Sequence, residues 1–246
     1  MVASGGNTFF LNAALSKLYG IPNIQLGSPR GIKSELFNAH LTAERYSNSK
    51  NNIVYDIAPN KYSPKICMSS NEIQKKILLL FGGNGMGYEY SNQDIKKIVE
   101  TMNTLTDKNK IEVICVTSRR SKKHHEKILW QNLRNLSKKS IWFHKGGENA
   151  DLRELFSLSE FIFVSEDSAM MISESISSGK IVTTLFPEKV VTPKRYKYQM
   201  DLYLNKGFVF RSKIGDQLVL RKNNDHSQKI EKSRKKLLNQ ILSNIA

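Results

Sequence analysis

A cluster of glycines follows a strongly apolar segment near the middle of the chain. Ile77–Phe81 reads as a buried strand, and Gly82-Gly83-Asn84-Gly85-Met86-Gly87 comes directly after it. Glycines in such a turn let the backbone approach a phosphate closely, and the first amides of a following helix favour an anion. The cluster is not a Walker loop, which needs Lys-Ser/Thr after its last glycine, and Tyr88 breaks GxGxxG. It is therefore either a phosphate loop of another kind or a flexible turn without a ligand.

Two arginines follow the next predicted strand. Ile111–Val116 reads as this strand, and Thr117-Ser118-Arg119-Arg120 comes next, without the acid that grips a nicotinamide ribose. Because the carboxyl ends of parallel strands meet at one edge of a sheet, Ser118, Arg119 and Arg120 are predicted to lie beside the glycine cluster. A guanidinium group presents a planar fork of donors that matches phosphate oxygens. The pattern favours a bound diphosphate over an ATPase or dehydrogenase site, and a solvated basic turn is the alternative.

A third strand, Phe161–Val164, breaks at Ser165-Glu166-Asp167-Ser168 and leads into a helical pattern. Glu174 lies on that helix, about 9 Å beyond Ser168 at ~1.5 Å per residue. Its carboxylate suits a sugar diol, whereas Glu166 and Asp167 at a helix start would repel a phosphate. We therefore expect Asp167 to act as a cap. Neutral hydroxyl groups of the ligand are assigned to the remaining polar side chains of this segment: Ser165, Ser168 and Glu174.

Other reactive residue types form no recognisable constellation. Cys67 and Cys115 lie in unrelated segments without CxxC or Cys/His spacing, which indicates reduced thiols and no metal site. His124 and His125 are adjacent in a predicted helix and diverge by about 100°, so we expect them to be exposed and to bind no metal. No serine occupies a GxSxG motif. The sequence thus predicts neither a metal nor a resident cofactor, and it identifies no catalytic residue.

From Lys75 onward, predicted strands alternate with predicted helices, which indicates a parallel sheet with right-handed crossovers. The predicted strands of this region are Ile77–Phe81, Ile111–Val116, Ser140–Phe143, Phe161–Val164, Ile181–Leu185 and Phe208–Phe210. A turn-helix unit opens the chain, residues 23–26 and 52–57 look extended, and residues 36–45 are ambiguous. Pro59 and Pro64 mark a linker. We predict a first α/β domain over residues 1–65, a second over residues 66–225 and a basic helix over residues 226–246.

The chain is strongly basic. Among its 246 residues, 38 Lys and Arg outweigh 22 Asp and Glu, which gives a net charge of +16. This balance favours an anionic partner such as a phosphorylated metabolite or an anionic membrane surface, although scattered lysines can also serve solubility alone. Nucleic acid is not expected as a partner, because charge is its only support. No apolar run approaches the ~20 residues that cross a bilayer, and no secretory signal is apparent. We expect a cytoplasmic protein, at most peripheral to a membrane.

Five segments together resemble a known family. In chain order they read GGNTFFLNAALSKL, IQLGSPR, LLLFGGNGMGYEYS, VTSRRS and VSEDSAMMISESISSGK. They are similar to the mitochondrial fission Elm family of predicted glycosyltransferases, and the similarity spans most of the chain. The second half also resembles the donor half of the peptidoglycan N-acetylglucosaminyltransferase, which is a GT-B enzyme.

The resemblance implies an α/β, GT-B-like fold with two Rossmann-like domains that contain parallel sheets. Family members have a further N-terminal stretch, so the N-terminal domain is expected to be incomplete. Four residues would contact the diphosphate of a nucleotide sugar by this resemblance: Gly82, Gly83, Asn84 and Gly85. Glu174 would bind the donor ribose.

The resulting hypothesis is a metal-independent glycosyltransferase with a nucleotide-diphosphate sugar as donor substrate. Arg119 and Arg120 would stabilise the charge on the departing diphosphate. The expected acceptor is a membrane lipid or a cell-envelope glycan, and a general base would come from the first domain, where His40 and Glu44 are candidates. The alternative is a non-enzymatic adaptor that uses the same fold as a scaffold, as the fission name implies.

Overall fold

The computed structural model describes residues 1–29, 31–67, 76–146, 151–221 and 225–245. The chain divides into two units, one made of Met1–Pro59 with Glu231–Ala246 and the other of Asn60–Ile230. The boundary that the sequence places near residue 65 lies a few residues beyond the observed one. The predicted C-terminal helix is present as His226–Ile245, and most of it belongs to the first unit.

The first unit is built on a four-stranded parallel sheet. Its strands, in spatial order, are β1 (Val2–Ser4), β2 (Ile24–Leu26), β3 (Ala39–Thr42) and β4 (Asn52–Val54). Helix α1 (Phe9–Tyr19) connects β1 to β2 and ends at Gly20, whose left-handed backbone (φ 62°) lets its N–H cap the carbonyl of Ser16. The ambiguous residues 36–45 therefore contain a short central strand, and residues 52–57 are a strand over their first half only.

The C-terminal helix completes part of the core of the first unit. One apolar cluster contains Ala39, Leu41 and Ile53 from the sheet, with Leu237 and Ile241 from this helix packed against them. Leu238 and Leu242, the next residues along the helix, are more than half exposed. The helix is thus amphipathic, with one stripe against the sheet and the exposed residues Lys232, Lys235 and Lys236 on other faces.

The second unit contains a five-stranded parallel sheet in the order β6-β5-β7-β8-β9. The strands are β5 (Lys76–Phe81), β6 (Val113–Thr117), β7 (Ser159–Ser165), β8 (Ile181–Phe186) and β9 (Phe210–Lys213). The helices are α2 (Asn92–Asn109), α3 (Lys123–Asn132), α4 (Leu152–Ser157), α5 (Ala169–Ser177) and α6 (Lys194–Asn205), and the C-terminal helix, α7 (His226–Ile245), begins here. Every residue of β5 is buried, as expected of a central parallel strand.

One predicted strand is wrong. Ser140–Phe143 forms no strand, and only an isolated bridge joins Ile141 to Val116. The helix before it, α3, ends at Asn132, because Leu133 adopts an extended backbone. The remaining predicted strands of the second unit are present, with ends that differ by a few residues.

The strand order creates a crevice at one position of the second sheet. The chain passes from β5 to β6 on one side and then crosses to β7 on the other side of β5. The connections that leave β5 and β7 therefore diverge, and ligands in open parallel sheets bind outside the carboxyl ends of the strands at such a switch point. The glycine cluster and the Ser165–Ser168 turn both lie there.

Among the described residues, no helix has the length and apolarity that a membrane crossing requires.

The packing of α7 on the first sheet predicts a difference between neighbouring leucines. Leu237→Ala should lower the free energy of unfolding by about 1–2 kcal/mol, below the range for a fully buried leucine because this side chain is only partly buried. Leu238→Ala, the matched control, removes an exposed side chain and should change stability by less than ~0.5 kcal/mol. Urea denaturation measures both, and equal effects would contradict the assigned helix face.

Candidate functional site

Three of the predicted site residues, Gly82, Ser118 and Ser165, meet at the carboxyl edge of the second sheet. The Gly82 N–H donates to Ser165 Oγ at 2.8 Å, which joins the turns after β5 and β7. The Ser118 hydroxyl donates to the Gly82 carbonyl at 2.5 Å, which joins the turn after β6 to the same point. The sequence therefore predicted correctly which turns converge. Ser165 and Ser118 use their hydroxyl groups within the protein, so they position the turns.

Asp167 lies at the centre of this edge and is fully buried. Its Oδ1 accepts from the Ser165 hydroxyl at 2.5 Å, and its Oδ2 accepts from the Arg120 guanidinium at 2.7 Å. Burial raises the pKa of Asp167 to about 6, while Ser165, Arg120 and the backbone N–H groups of Asp167 and Gly83 act in the opposite direction. At pH 7 the side chain is therefore mainly a carboxylate, held by donors from all three turns.

The glycines after β5 are packed against the protein's own groups. A Cβ at Gly82 would overlap the Asp167 carboxylate, and one at Gly83 (φ 113°) would overlap the backbone of Arg120. A Cβ at Gly87 would overlap the Val191 carbonyl. We expected a phosphate to approach the backbone of these glycines. At Gly82 the Asp167 carboxylate occupies that space instead, and at Gly83 the backbone of Arg120 occupies it. Contact of Gly82, Gly83, Asn84 and Gly85 with a diphosphate stays a prediction.

Glu166 forms a second buried ion pair that the sequence did not reveal. Its carboxylate accepts two hydrogen bonds from Arg211 of β9, at 2.7 and 2.8 Å, and one from the Thr184 hydroxyl at 2.6 Å. The backbone N–H of Glu166 donates to Tyr90 Oη, and its carbonyl accepts from Tyr196 Oη. The sequence shows only two adjacent acidic residues after an apolar strand. It does not indicate that Glu166 pairs with Arg211, which is 45 residues away in the chain.

The groups that remain open to a ligand are a subset of the predicted ones. Arg119 is exposed, and the Arg120 side chain retains 39% exposure beside Asp167. Ser168 is partly exposed and caps α5 by accepting from the Met171 N–H at 3.5 Å. Glu174, further along α5, is half-buried. Burial raises its pKa, and the Lys61 ammonium partly offsets this rise.

A cleft of about 800 Å³ opens at the same edge of the sheet. It is lined by the end of the glycine cluster, the start of α2, the residue before α3 and the loop after β8: Gly87, Glu89, Tyr90, Ser91, Gln93, Asp94, Lys97, Lys122, Pro187, Glu188, Lys189 and Val191. Its size is within the range of small-molecule sites. Three lysines face three carboxylates in this cleft, so it has no strong charge preference.

The two adjacent histidines differ in exposure, and His124 is exposed as predicted. The prediction that His125 is exposed is wrong, because it is buried against the ring of Phe81, and burial lowers its pKa to about 4. His40 is also fully buried, whereas Glu44 accepts a hydrogen bond from the Tyr46 hydroxyl. Within the described ranges, no group of three or more His, Cys, Asp or Glu side chains could hold a metal ion.

Comparisons with known proteins address the family and the fold. The family model described as mitochondrial fission ELM1 matches residues 1–229. No protein with a curated description matches the chain. Among solved structures, the glycotransferase of kitacinnamycin is 12% identical with a TM-score of 0.53, over 99% of this chain and 74% of that one.

Two further solved structures are similar over 99% of this chain and 67% of theirs. A Listeria monocytogenes protein assigned as a UDP-N-acetylglucosamine 2-epimerase is 10% identical with a TM-score of 0.51. Acinetobacter baumannii MurG is 11% identical with a TM-score of 0.47. At such identities the likeness concerns the fold, and the expected GT-B-like α/β fold with two parallel sheets is confirmed.

The contact between Gly82 and Asp167 predicts energetic coupling. Gly82→Ala should destabilise the protein by about 2–3 kcal/mol, because the added methyl group overlaps a fully buried carboxylate. In an Asp167→Ala background the same change should cost at least ~1 kcal/mol less, since the space is then free. Denaturant unfolding of the four proteins of the cycle measures the coupling, and equal costs in both backgrounds would contradict the contact.

Proposed function

Since the chain belongs to the mitochondrial fission ELM1 family, we propose that it is a glycosyltransferase that uses a nucleotide-diphosphate sugar as donor. The five sequence motifs that resemble this family lie in the matched residues. The donor would bind at the carboxyl edge of the second sheet.

The observation that supports the proposal most is the convergence of three turns at the switch point between β5 and β7. The glycine cluster, the Ser118–Arg120 turn and the Ser165–Ser168 turn are hydrogen-bonded to one another there. This is the position at which open α/β sheets bind nucleotides. Two solved proteins of similar fold are named as a glycotransferase and as an epimerase of a nucleotide sugar, which agrees with a nucleotide-sugar ligand.

The diphosphate would bind outside the buried carboxylate of Asp167. Arg119 is exposed at this edge, and the exposed part of Arg120 lies next to it in the chain. Guanidinium groups form strong, paired hydrogen bonds with phosphate oxygens and would stabilise the negative charge that develops on the leaving diphosphate. Asn84 and Gly85 are partly exposed and would supply polar contacts from the glycine cluster.

The sugar and ribose hydroxyl groups would be recognised from α5. Ser168 and Glu174 are both partly exposed on this helix. A carboxylate accepts two hydrogen bonds from a diol, and the half-buried position of Glu174 would make such bonds stronger than in bulk water. Ser165 is removed from direct recognition, because its hydroxyl group is bonded to Asp167 and Gly82.

The acceptor would be an anionic or membrane-associated molecule. The net charge of +16 attracts anionic surfaces, and a lipid-linked acceptor fits such a protein. The expectation of a cytoplasmic protein at a membrane surface belongs to the same proposal.

A second candidate function, a non-enzymatic adaptor, is favoured by one specific observation. The innermost anion position of the edge holds the Asp167 carboxylate, which accepts from Ser165, Arg120 and backbone N–H groups. A carboxylate there repels a phosphate and stabilises the turns without any ligand. If no nucleotide binds, the fold serves as a scaffold.

Nucleotide titrations separate these two functions. UDP, GDP and CDP are titrated calorimetrically at physiological salt, and the proposal expects at least one of them to bind with micromolar or better affinity. Arg119→Ala should weaken that affinity about 10–100-fold, which corresponds to the loss of a charge-assisted hydrogen bond. Glu174→Ala should weaken it similarly, because the hydrogen bonds from the ribose hydroxyl groups to the carboxylate would be lost.

Arg134→Ala is the matched control, because Arg134 is exposed in the same unit and pairs with Asp107 away from the edge. It should leave the affinity unchanged. If Arg119→Ala and Arg134→Ala weaken the nucleotide affinity equally, the loss reflects the net charge of the protein, and the specific role of Arg119 is contradicted. Absence of binding by all three nucleotides would reject the transferase and leave the adaptor.

A further inference from the structure

The first unit contains a pocket that the proposed transferase site does not use. Its volume is about 610 Å³, which is within the range of small-molecule sites. Its lining residues come from the segments after β2 and β3: Pro29, Ile32, Lys33, Ser34, Glu35, Tyr46 and Ser47. Among these, Ser34 is only 2% exposed, and its hydroxyl group lies within hydrogen-bond distance of a histidine.

Ser34, His40 and the Gly27 carbonyl form a continuous hydrogen-bonded row. Ser34 Oγ lies 2.9 Å from His40 Nδ1, and His40 Nε2 lies 2.8 Å from the Gly27 carbonyl oxygen. A carbonyl oxygen can only accept, so in the neutral imidazole Nε2 carries the proton and Nδ1 is the acceptor. The Ser34 hydroxyl therefore donates a hydrogen bond to His40 Nδ1. A nucleophile, a base and a group that orients the base are the three parts of a catalytic triad.

The imidazole of His40 is held rigidly and stays neutral at pH 7. It is fully buried on β3, and the rings of Phe9 and Phe37 pack against it at centroid distances of 5.6 and 5.4 Å. Burial lowers the pKa of His40, and the hydrogen bond to Gly27 opposes this shift. A neutral imidazole can accept a proton, and the Gly27 carbonyl would stabilise the imidazolium that forms.

We propose that Ser34 is an activated nucleophile that attacks small carboxylic esters bound in this pocket. Ser34 Oγ bonds to the ester carbonyl carbon while its proton moves to His40 Nδ1. The bond from that carbon to the alcohol oxygen then breaks, and the alcohol leaves with the proton from His40. Water hydrolyses the acyl-serine by the same route, which releases the carboxylic acid and restores Ser34. Lys33, which lines the pocket, supplies positive charge for the oxyanion of each step.

A fluorophosphonate probe tests this proposal without an identified substrate. The probe forms a phosphorus–oxygen bond to an activated serine, and fluoride leaves with the proton. Trypsin cleaves after Lys33 and Arg45, so Ser34 falls in the peptide SELFNAHLTAER, which contains no other serine. The expected result is a phosphonylated Ser34 in the native protein at pH 7.5 and no such label after denaturation. Absence of the label from Ser34 in the native protein overturns the proposal, whatever the stability of any variant.

Single substitutions test whether labelling and ester hydrolysis require Ser34 and His40 specifically. Ser34→Ala and His40→Gln should each abolish labelling and slow hydrolysis of 4-nitrophenyl acetate at least ~100-fold. Ser16→Ala is the matched control, since Ser16 belongs to the same unit, does not line the pocket and donates to the Ile21 carbonyl rather than to a histidine, and it should retain both signals. Labelling that survives in folded His40→Gln overturns the role of the base. Because nucleotides are absent from these assays, their outcome is independent of the transferase.

Discussion

The buried carboxylate of Asp167 is the group on which the edge of the second sheet depends. It lies where the turns after β5, β6 and β7 meet, and each turn contributes a donor to it. Placing an ionised carboxylate in the interior costs several kcal/mol unless it is paired and hydrogen-bonded. The Arg120 guanidinium and the Ser165 hydroxyl offset that cost only when all three turns are in place. The arrangement of the edge and the ionisation of Asp167 are therefore mutually dependent.

Glu166 extends the same principle to the other side of the sheet. Glu166 and Asp167 are consecutive in the turn after β7, yet Glu166 bonds to Thr184 and Arg211 while Asp167 lies against the glycine cluster. The two adjacent carboxylates connect the turns on the β6 side with β9 on the far edge. Loss of either arginine would leave a buried charge unpaired, which typically costs about 3–5 kcal/mol. A nucleotide site built here would rest on a rigid frame that forms without the ligand.

The sequence predicted the architecture of the second unit well because local patterns determine it. Alternating apolar strands and helical segments imply a parallel sheet, and the turns that follow β5, β6 and β7 were correctly expected to meet. The partners of the buried acids could not be predicted, since Arg120 and Arg211 are far from them in the chain and resemble solvated cations in sequence. The glycines were assigned to a phosphate for the same reason, because the sequence does not show that Asp167 occupies the space beside Gly82. Residues 140–143 were wrongly predicted to form a strand from a short apolar pattern. Only Ile141 forms a bridge to a neighbouring strand, so no continuous ladder of hydrogen bonds develops.

The proposed transferase site requires a diphosphate position that does not overlap the Asp167 carboxylate. A carboxylate and a phosphate cannot share one set of donors, so the ligand must bind outside the Asp167–Arg120 pair and use Arg119. A crystal structure of the complex with the nucleoside diphosphate that binds most tightly tests this directly. We expect phosphate oxygens within hydrogen-bond distance of the Arg119 guanidinium and an intact ion pair between Asp167 and Arg120. Phosphates that displace the Asp167 carboxylate, or a nucleotide bound away from this edge of the sheet, would contradict this expectation.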